Sequence, residues 1–219
     1  MKARLDSVKA ANPNLAETAA REVWKPQHPL RVADEPRRWS FRPWVRRRSE
    51  LIRRRGNFRV GIPRVLNFYQ YAPFFSAYLQ SLGVRPENIV FSDYTSSRLY
   101  REGAQRGVID PCYPAKVALA HVHNLLVVKH RRKRLDCIFF PLITKIPCWV
   151  ADSSGEDACC TVAATPQTVR AAMTREVDVF EQEGVVYLAP LLDLTDRALL
   201  AGEMFETWEA LLGLTPEEN

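Results

Sequence analysis

Five cysteines, at positions 112, 137, 148, 159 and 160, are the residues best suited to chemistry. Cys112 lies in IDPCYPAKVALAHVHNLL (109–126), between Pro111 and Pro114. Pro114 suits the first turn of a helix, so Cys112 falls at or just before a helix N-terminus. There the helix dipole and the free N–H groups favour a thiolate, the form that attacks an electrophile or binds a metal. A second reading stays open, since free cysteine is often a small apolar residue beneath a loop. His121 and His123 are two positions apart and face different sides of a helix, so they cannot act as an i, i+4 metal pair. Nothing in the spacing pairs either with Cys112 as a catalytic base, and both read as core or surface histidines.

Cys137, inside LDCIFF, reads as core. Cys159 and Cys160 read as the start of a strand, CTVAAT (160–165), after the polar loop DSSGEDA (152–158). By alternation only one of the pair faces a given side. Cys148 follows Pro147 in the loop after the third strand. The cysteines form no CxxC pairs, which argues against a zinc ribbon. Iron–sulfur clusters are held by thiolates that need not be close in sequence. An odd cysteine count with an adjacent pair argues against a disulfide framework.

The elements that must position these residues alternate between strand and helix. FRVGIP (58–63), NIVFSD (88–93), LDCIFFPLI (135–143), CTVAAT and VVYLAP (185–190) read as strands. Helices are predicted over 67–83, ending at Gly83, over 95–105 behind Thr/Ser caps, and from Pro114 to about Lys129. Two more are predicted over 165–184, with Thr165 as cap and Pro166 at its first position, and over about 195–213, ending at Gly213. The third strand is apolar on both faces, as in a buried parallel sheet. The pattern predicts a three-layer, mostly parallel, Rossmann-like α/β sheet. In such sheets function collects at the carboxyl ends of the strands. Asp93, Tyr94 and Thr95 fall at one such end, where they line a crevice or merely cap a helix. No G-x-G-x-x-G follows the first strand and no G-x-x-x-x-G-K-S/T occurs, which removes the two commonest devices for nucleotide phosphates.

Residues 1–56 read as a linker or arm and 57–219 as the α/β domain. A short helix is predicted over 15–23, after which Pro26, Pro29, Pro36 and Pro43 break regular structure. Residues 37–55, RRWSFRPWVRRRSELIRRR, carry nine arginines against Glu50, so this window is +8 in a chain of net +6 and the remainder is about −2. Arginines interleaved with Trp39, Phe41 and Trp44 suit nucleic acid or an acidic partner. The plainer reading, a solvated linker or a helix lying on a larger assembly, is preferred, and nucleic acid is disfavoured. No window approaches 18 uncharged apolar residues, and MKARLDSVKAANPNLAE lacks the apolar core of a signal peptide, so no membrane association and a cytoplasmic location are expected.

RVGIPRVLNFYQYAPFFSAYLQSLG, VFSDYTSSRLYREGAQRGVIDPCYPAKVALAHVHNLL, LDCIFFPLI and ACCTVAATPQTVRAAM, in that order, carry a family resemblance. Over roughly residues 58–215 the chain resembles the accessory domain of the 2-hydroxyacyl-CoA dehydratase activators, also called CoA-enzyme activases. ANPNLAETAAREVWKPQ looks like the linker that joins this domain to the ATPase modules of the large fused members. The resemblance implies an α/β fold similar to the dehydratase subunits, which carry a [4Fe-4S] cluster on cysteines. By motif, Cys112 in D-P-C-Y-P-A-K and Cys159 occupy the family's cysteine positions, with Cys160 where relatives have proline. Leu142 stands where many relatives carry a further cysteine, and Cys148 is the candidate substitute. Lys116 and Asp93 would then lie near the cluster. The family's ATPase loop is absent from the sequence. The implied function is an accessory iron–sulfur, electron-transfer domain without turnover of its own, acting with separate ATPase modules or a dehydratase-like subunit. The alternative is a non-catalytic α/β interaction module that has lost its cluster. A third reading is an acyl-CoA-binding subunit whose arm meets the CoA phosphates.

Overall fold

The computed structural model describes Ser7, Trp39, Val150 and residues 41–106, 112–148 and 155–215. Its centre is β1 (Val60–Ile62), which is buried along its length and pairs in parallel with β2 (Ile89–Phe91) on one side and β3 (Cys137–Phe139) on the other. β5 (Val186–Leu188) pairs in parallel with β3 and completes the order β2-β1-β3-β5. The mostly parallel α/β sheet expected from the sequence is therefore present. Beyond β3 and β5 the two strands continue as a second parallel ladder, β4 (Leu142–Lys145) with β6 (Leu191–Asp193). Phe140 N–H donates to Leu188 O at 2.8 Å and Leu142 N–H to Pro190 O at 2.7 Å, so hydrogen bonding runs through the break. The expected single strand 135–143 is interrupted because Pro141 and Pro190 have no N–H to give the ladder.

Helices cover both faces. α2 (Phe68–Ser81) joins β1 to β2, and α7 (Arg197–Leu212) follows β6. Their aromatics meet β3 on one face: Phe139 lies 5.2 Å from the ring of Phe75 and 5.2 Å from that of Trp208. α3 (Ser97–Gly103) and α4 (Tyr113–Asn124) form the crossover from β2 to β3, and α5 (Cys160–Thr174) and α6 (Val179–Glu183) join β4 to β5. Right-handed crossovers in this strand order place them on the opposite face. Seven buried positions of α4, from Ala115 to Val122 without a break save Lys116, show how deeply it sits. α4 does not end at Asn124 but runs on as a π-helix, Leu125–His130.

Three expectations are corrected. CTVAAT is not a strand. Residues 156–158 take the edge of β4 instead, through Ile146 N–H to Glu156 O and Ala158 N–H to Thr144 O, both 2.8 Å, and the chain turns into α5 at Cys160. Short apolar runs are ambiguous between strand and helix, and Pro166 lies inside α5 rather than at its start. Thr165 is no cap: its hydroxyl donates back to Thr161 O at 2.7 Å. Secondly, the expected helix 165–184 is two helices, because Asp178 accepts from Phe180 and Glu181 N–H and starts α6 afresh. Gly184 ends α6 with φ 63°, a left-handed conformation that suits glycine.

Thirdly, Pro43 does not break structure but opens a 15-residue helix, α1 (Pro43–Asn57). α1 is docked by the buried Arg55, which donates to Leu212 O at 2.8 Å, Gly213 O at 2.9 Å and Leu82 O at 3.3 Å. One guanidinium thus serves the carbonyl ends of both α2 and α7, where the helix dipoles favour a cation. The helix predicted over 15–23 lies outside the described residues.

Candidate functional site

The chain leaves β1 toward β2 and leaves β3 toward β5 on the other side, so the direction of connection reverses between the neighbouring strands β1 and β3 and the crevice belongs beyond their carboxyl ends. The loop there is Pro63-Arg64-Val65-Leu66. Leu66 adopts φ 51°, a left-handed backbone that costs a leucine about 1 kcal/mol. Arg64 holds its guanidinium 3.9 Å over the ring centroid of Tyr94 and 5.7 Å from that of Phe91. Burial lowers its pKa, while Tyr94 and Asp93 oppose that shift.

Behind Arg64 lies a closed polar chain. Arg64 N–H donates to Ser92 Oγ at 2.8 Å, and Ser92 Oγ lies 2.7 Å from His121 Nδ1. His121 Nε2 is 3.0 Å from Thr95 Oγ1. With the Ser92 hydroxyl donating to Nδ1, the ring carries its proton on Nε2 and gives it to Thr95. Burial pushes the His121 pKa down to about 4, aided by Arg64, so the imidazole is neutral near pH 7. Ser92 and His121 are each 0% exposed, so this serine–histidine contact is no reachable nucleophile–base pair. It fastens α4 to the ends of β1 and β2. The sequence places His121 as an ordinary core or surface histidine and carries no sign of these partners.

Asp93 is held from the same side. Its N–H donates to Asn124 Oδ1 at 3.0 Å, and its carboxylate accepts from Asn124 Nδ2 and Lys129 Nζ. Burial would raise the carboxyl, but the hydrogen bonds of Lys129 and Asn124 outweigh it and its pKa lies below the usual value. Asn124 is twelve residues along α4 from Cys112, about 18 Å at the helical rise. Asp93 is therefore held at the far end of α4 from Cys112.

Cys112 is the N-cap residue of α4, and Cys159 is the N-cap residue of α5. Both helices lead back to the start of a parallel strand, so both begin on the carboxyl side of the sheet, and they pack against each other. The N–H groups of Val162 and Thr161, in the first turn of α5, lower the pKa of the exposed Cys159 thiol. Lys116 lies one turn into α4 and is half-buried. Cys160 is exposed beside Cys159, and Cys137 is buried in β3 as expected. Cys148 is exposed, and its N–H reaches Glu156 Oε1 at 3.5 Å. Because Thr144 pairs with Ala158, the chain from 144 to 148 runs away from Cys159 by roughly 10 Å or more. Cys148 is thus not brought to Cys159 as a substitute. Leu142, two residues before Thr144, falls in register with the start of α5.

A [4Fe-4S] cluster is commonly held by four thiolates. Among the described residues no group of three or more His, Cys, Asp or Glu is gathered to hold a metal ion. These residues therefore do not form a complete cluster site; they offer two thiols at two helix starts. Among the described residues no helix is long and apolar enough to cross a membrane.

Residues 59–219 match the family model described as the CoA enzyme activase uncharacterised domain. No curated protein and no solved structure matches the chain.

Proposed function

Because the chain belongs to the family of the CoA enzyme activase uncharacterised domain, we propose that it is an accessory domain of a 2-hydroxyacyl-CoA dehydratase activation system, without turnover of its own. It acts with a separate ATPase module or a dehydratase-like subunit. Cys112 and Cys159 are its two thiolate ligands to an iron–sulfur centre, and the remaining ligands come from outside the described residues. When bound, such a centre carries single electrons at a potential set by its surroundings. The observation that carries the reading is the paired placement: one cysteine at the N-cap of α4 and one at the N-cap of α5, on the same side of the sheet. Helix starts stabilise negative charge, and Lys116 adds a cation one turn away from Cys112.

The test is iron and sulfide retention after anaerobic reconstitution and desalting. Wild-type, Cys137→Ala and Cys148→Ala proteins should hold iron, while Cys112→Ala and Cys159→Ala should not. A wild-type protein without iron would leave the second reading, an α/β interaction module that has lost its cluster. Leu142 favours that second reading, because a leucine in register with the start of α5 cannot ligate.

A further inference from the structure

The fold gathers a basic surface that no single stretch of sequence displays. Three segments enter the sheet at its amino edge: the end of α1 before β1, residues 85–88 before β2, and residues 131–136 before β3. Hydrogen bonds stitch them together. Asn88 Nδ2 donates to Gly56 O at 2.7 Å, and Arg59 Nη1 donates to Asn88 Oδ1 at 3.1 Å. Arg59 N–H donates to Asp136 Oδ2 at 2.7 Å, and Asp136 N–H returns to Arg59 O at 2.9 Å. Arg85 Nε lies 3.3 Å from where a Cβ on Gly56 would stand, so its side chain lies along the end of α1.

Each segment carries exposed cations: Arg53 and Arg54 in the last turns of α1, Arg85, and the run RRKR at 131–134. Some positive charge is expected at this edge, because helices between parallel strands end here and their carbonyls favour cations. The buried Arg55 already serves the ends of α2 and α7. Seven exposed cations stand there, of which Arg134 donates to Gly184 O at the end of α6, against Glu87, Glu181, Glu183 and Glu209 and about one negative charge from the ends of α1 and the π-helix. Among the described residues an excess of roughly two positive charges is left.

The outer face of α1 extends this surface. Arg47 and Arg54 lie on the side away from the buried Ser49 and Gly56, Arg46 and Arg53 flank it, and the exposed Glu50 stands among all four at three- and four-residue spacing, so the face carries about three net positive charges. Six of the seven cations at the edge are arginine, whose forked donors pair with carboxylates two bonds at a time. Single-stranded nucleic acid is usually held by basic grooves lined with aromatics for base stacking. None of the exposed aromatics among the described residues lies in the three segments; Trp39, Phe41 and Trp44 sit at the start of α1, at the far end of that helix from the sheet edge, and the duplex probe below tests whether they recruit nucleic acid.

We infer that the amino edge of the sheet, with the outer face of α1, is a docking surface for an acidic face of a partner protein. It lies across the sheet from the helix starts that bear Cys112 and Cys159. The inference rests on the reading that the chain works with a protein partner, and it does not depend on a cluster.

The test is fluorescence anisotropy of the full chain with two labelled probes, a twenty-residue glutamate peptide and a twenty-base-pair DNA duplex. The peptide should bind in 50 mM salt and weaken at least tenfold by 200 mM, as screening predicts. Reversal of Arg53, Arg54, Arg131 and Arg132 to Glu should abolish binding. Reversal of Arg98, Arg101, Arg170 and Arg197, which lie elsewhere, should change it less than threefold. The milder Arg→Gln set at the first four positions, checked for folding by circular dichroism, should weaken binding at least tenfold. Cys112→Ala should bind like wild type, which separates this inference from the cluster reading. The inference is overturned if the peptide fails to bind, if both reversed sets bind alike, or if the duplex binds more tightly and the peptide cannot displace it.

Discussion

Arg55 Nε donates to the carbonyl oxygen of Leu212 at 2.8 Å, joining α1 to the last helix across 157 residues of chain. The same side chain reaches Gly213 and Leu82, so its loss leaves carbonyls at two helix ends without their charged donor. Arg55→Ala should destabilise the protein by about 2–4 kcal/mol, a fall of roughly 5–10 °C in thermal midpoint for a domain of this size. A chain beginning at Phe58 should lose at least as much. Unchanged melting of both would mean that α1 is an appendage and contributes nothing to the domain.

The buried imidazole of His121 makes stability depend on pH. Its folded pKa is about 4 against an ordinary 6.5, so between these values the unfolded chain binds a proton that the folded chain refuses. Stability from this group is complete above about pH 6.5 and is lost as pH falls toward 4, by about 2 kcal/mol at pH 5 and about 3 kcal/mol at pH 4. Urea midpoints at pH 7 and pH 5 should separate for the wild type, and the gap should shrink in His121→Gln. Equal gaps in the two proteins would show that His121 is not buried in neutral form. Asp93, with its lowered carboxyl, acts in a different window, losing its contribution only below the ordinary carboxylate value.

Gly103 allows α3 and α4 to touch. A Cβ there would stand 2.3 Å from Ala120 Cα and 2.6 Å from Ala120 Cβ, and backbone cannot yield as a flexible side chain can. Gly103→Ala should cost about 2–3 kcal/mol by overpacking, read as a shift in urea midpoint. A neutral result would mean that α3 moves freely over α4.

The thiols should differ in reactivity. The N–H groups of Val162 and Thr161 lower the pKa of Cys159, whereas burial raises that of Cys137 well above the ordinary value. With iodoacetamide near pH 7, followed by mass spectrometry, Cys159 should be alkylated before Cys148, and Cys137 only after unfolding. Prior loading with iron and sulfide should protect Cys159 if it is a ligand. Equal rates at Cys159 and Cys148 would remove the case for a stabilised thiolate at the start of α5.

Much of the architecture is legible in local pattern. The apolar runs of β1, β2, β3 and β5, the Gly83 and Gly213 stops, and Pro114 at the start of α4 each follow from the chemistry of a few adjacent residues. So does the placement of Cys112 at a helix N-cap. α5 was not legible, because CTVAAT satisfies strand and helix patterns alike and its fate depends on residues 156–158 taking the edge of β4 first. Nor was α1 legible as part of the domain, since its arginines look solvated until Leu212 and Gly213 present carbonyls to Arg55. The Ser92–His121–Thr95 chain joins positions 29 and 26 residues apart, and the basic amino edge joins runs separated by whole strands and helices. Most of the elements and their order follow from local pattern, because propensity and periodicity act over a few residues. Which thiols share a side of the sheet, which histidine is buried and where the arginines gather depend on long-range packing, because partners and dielectric surroundings are set by chain segments far apart in sequence.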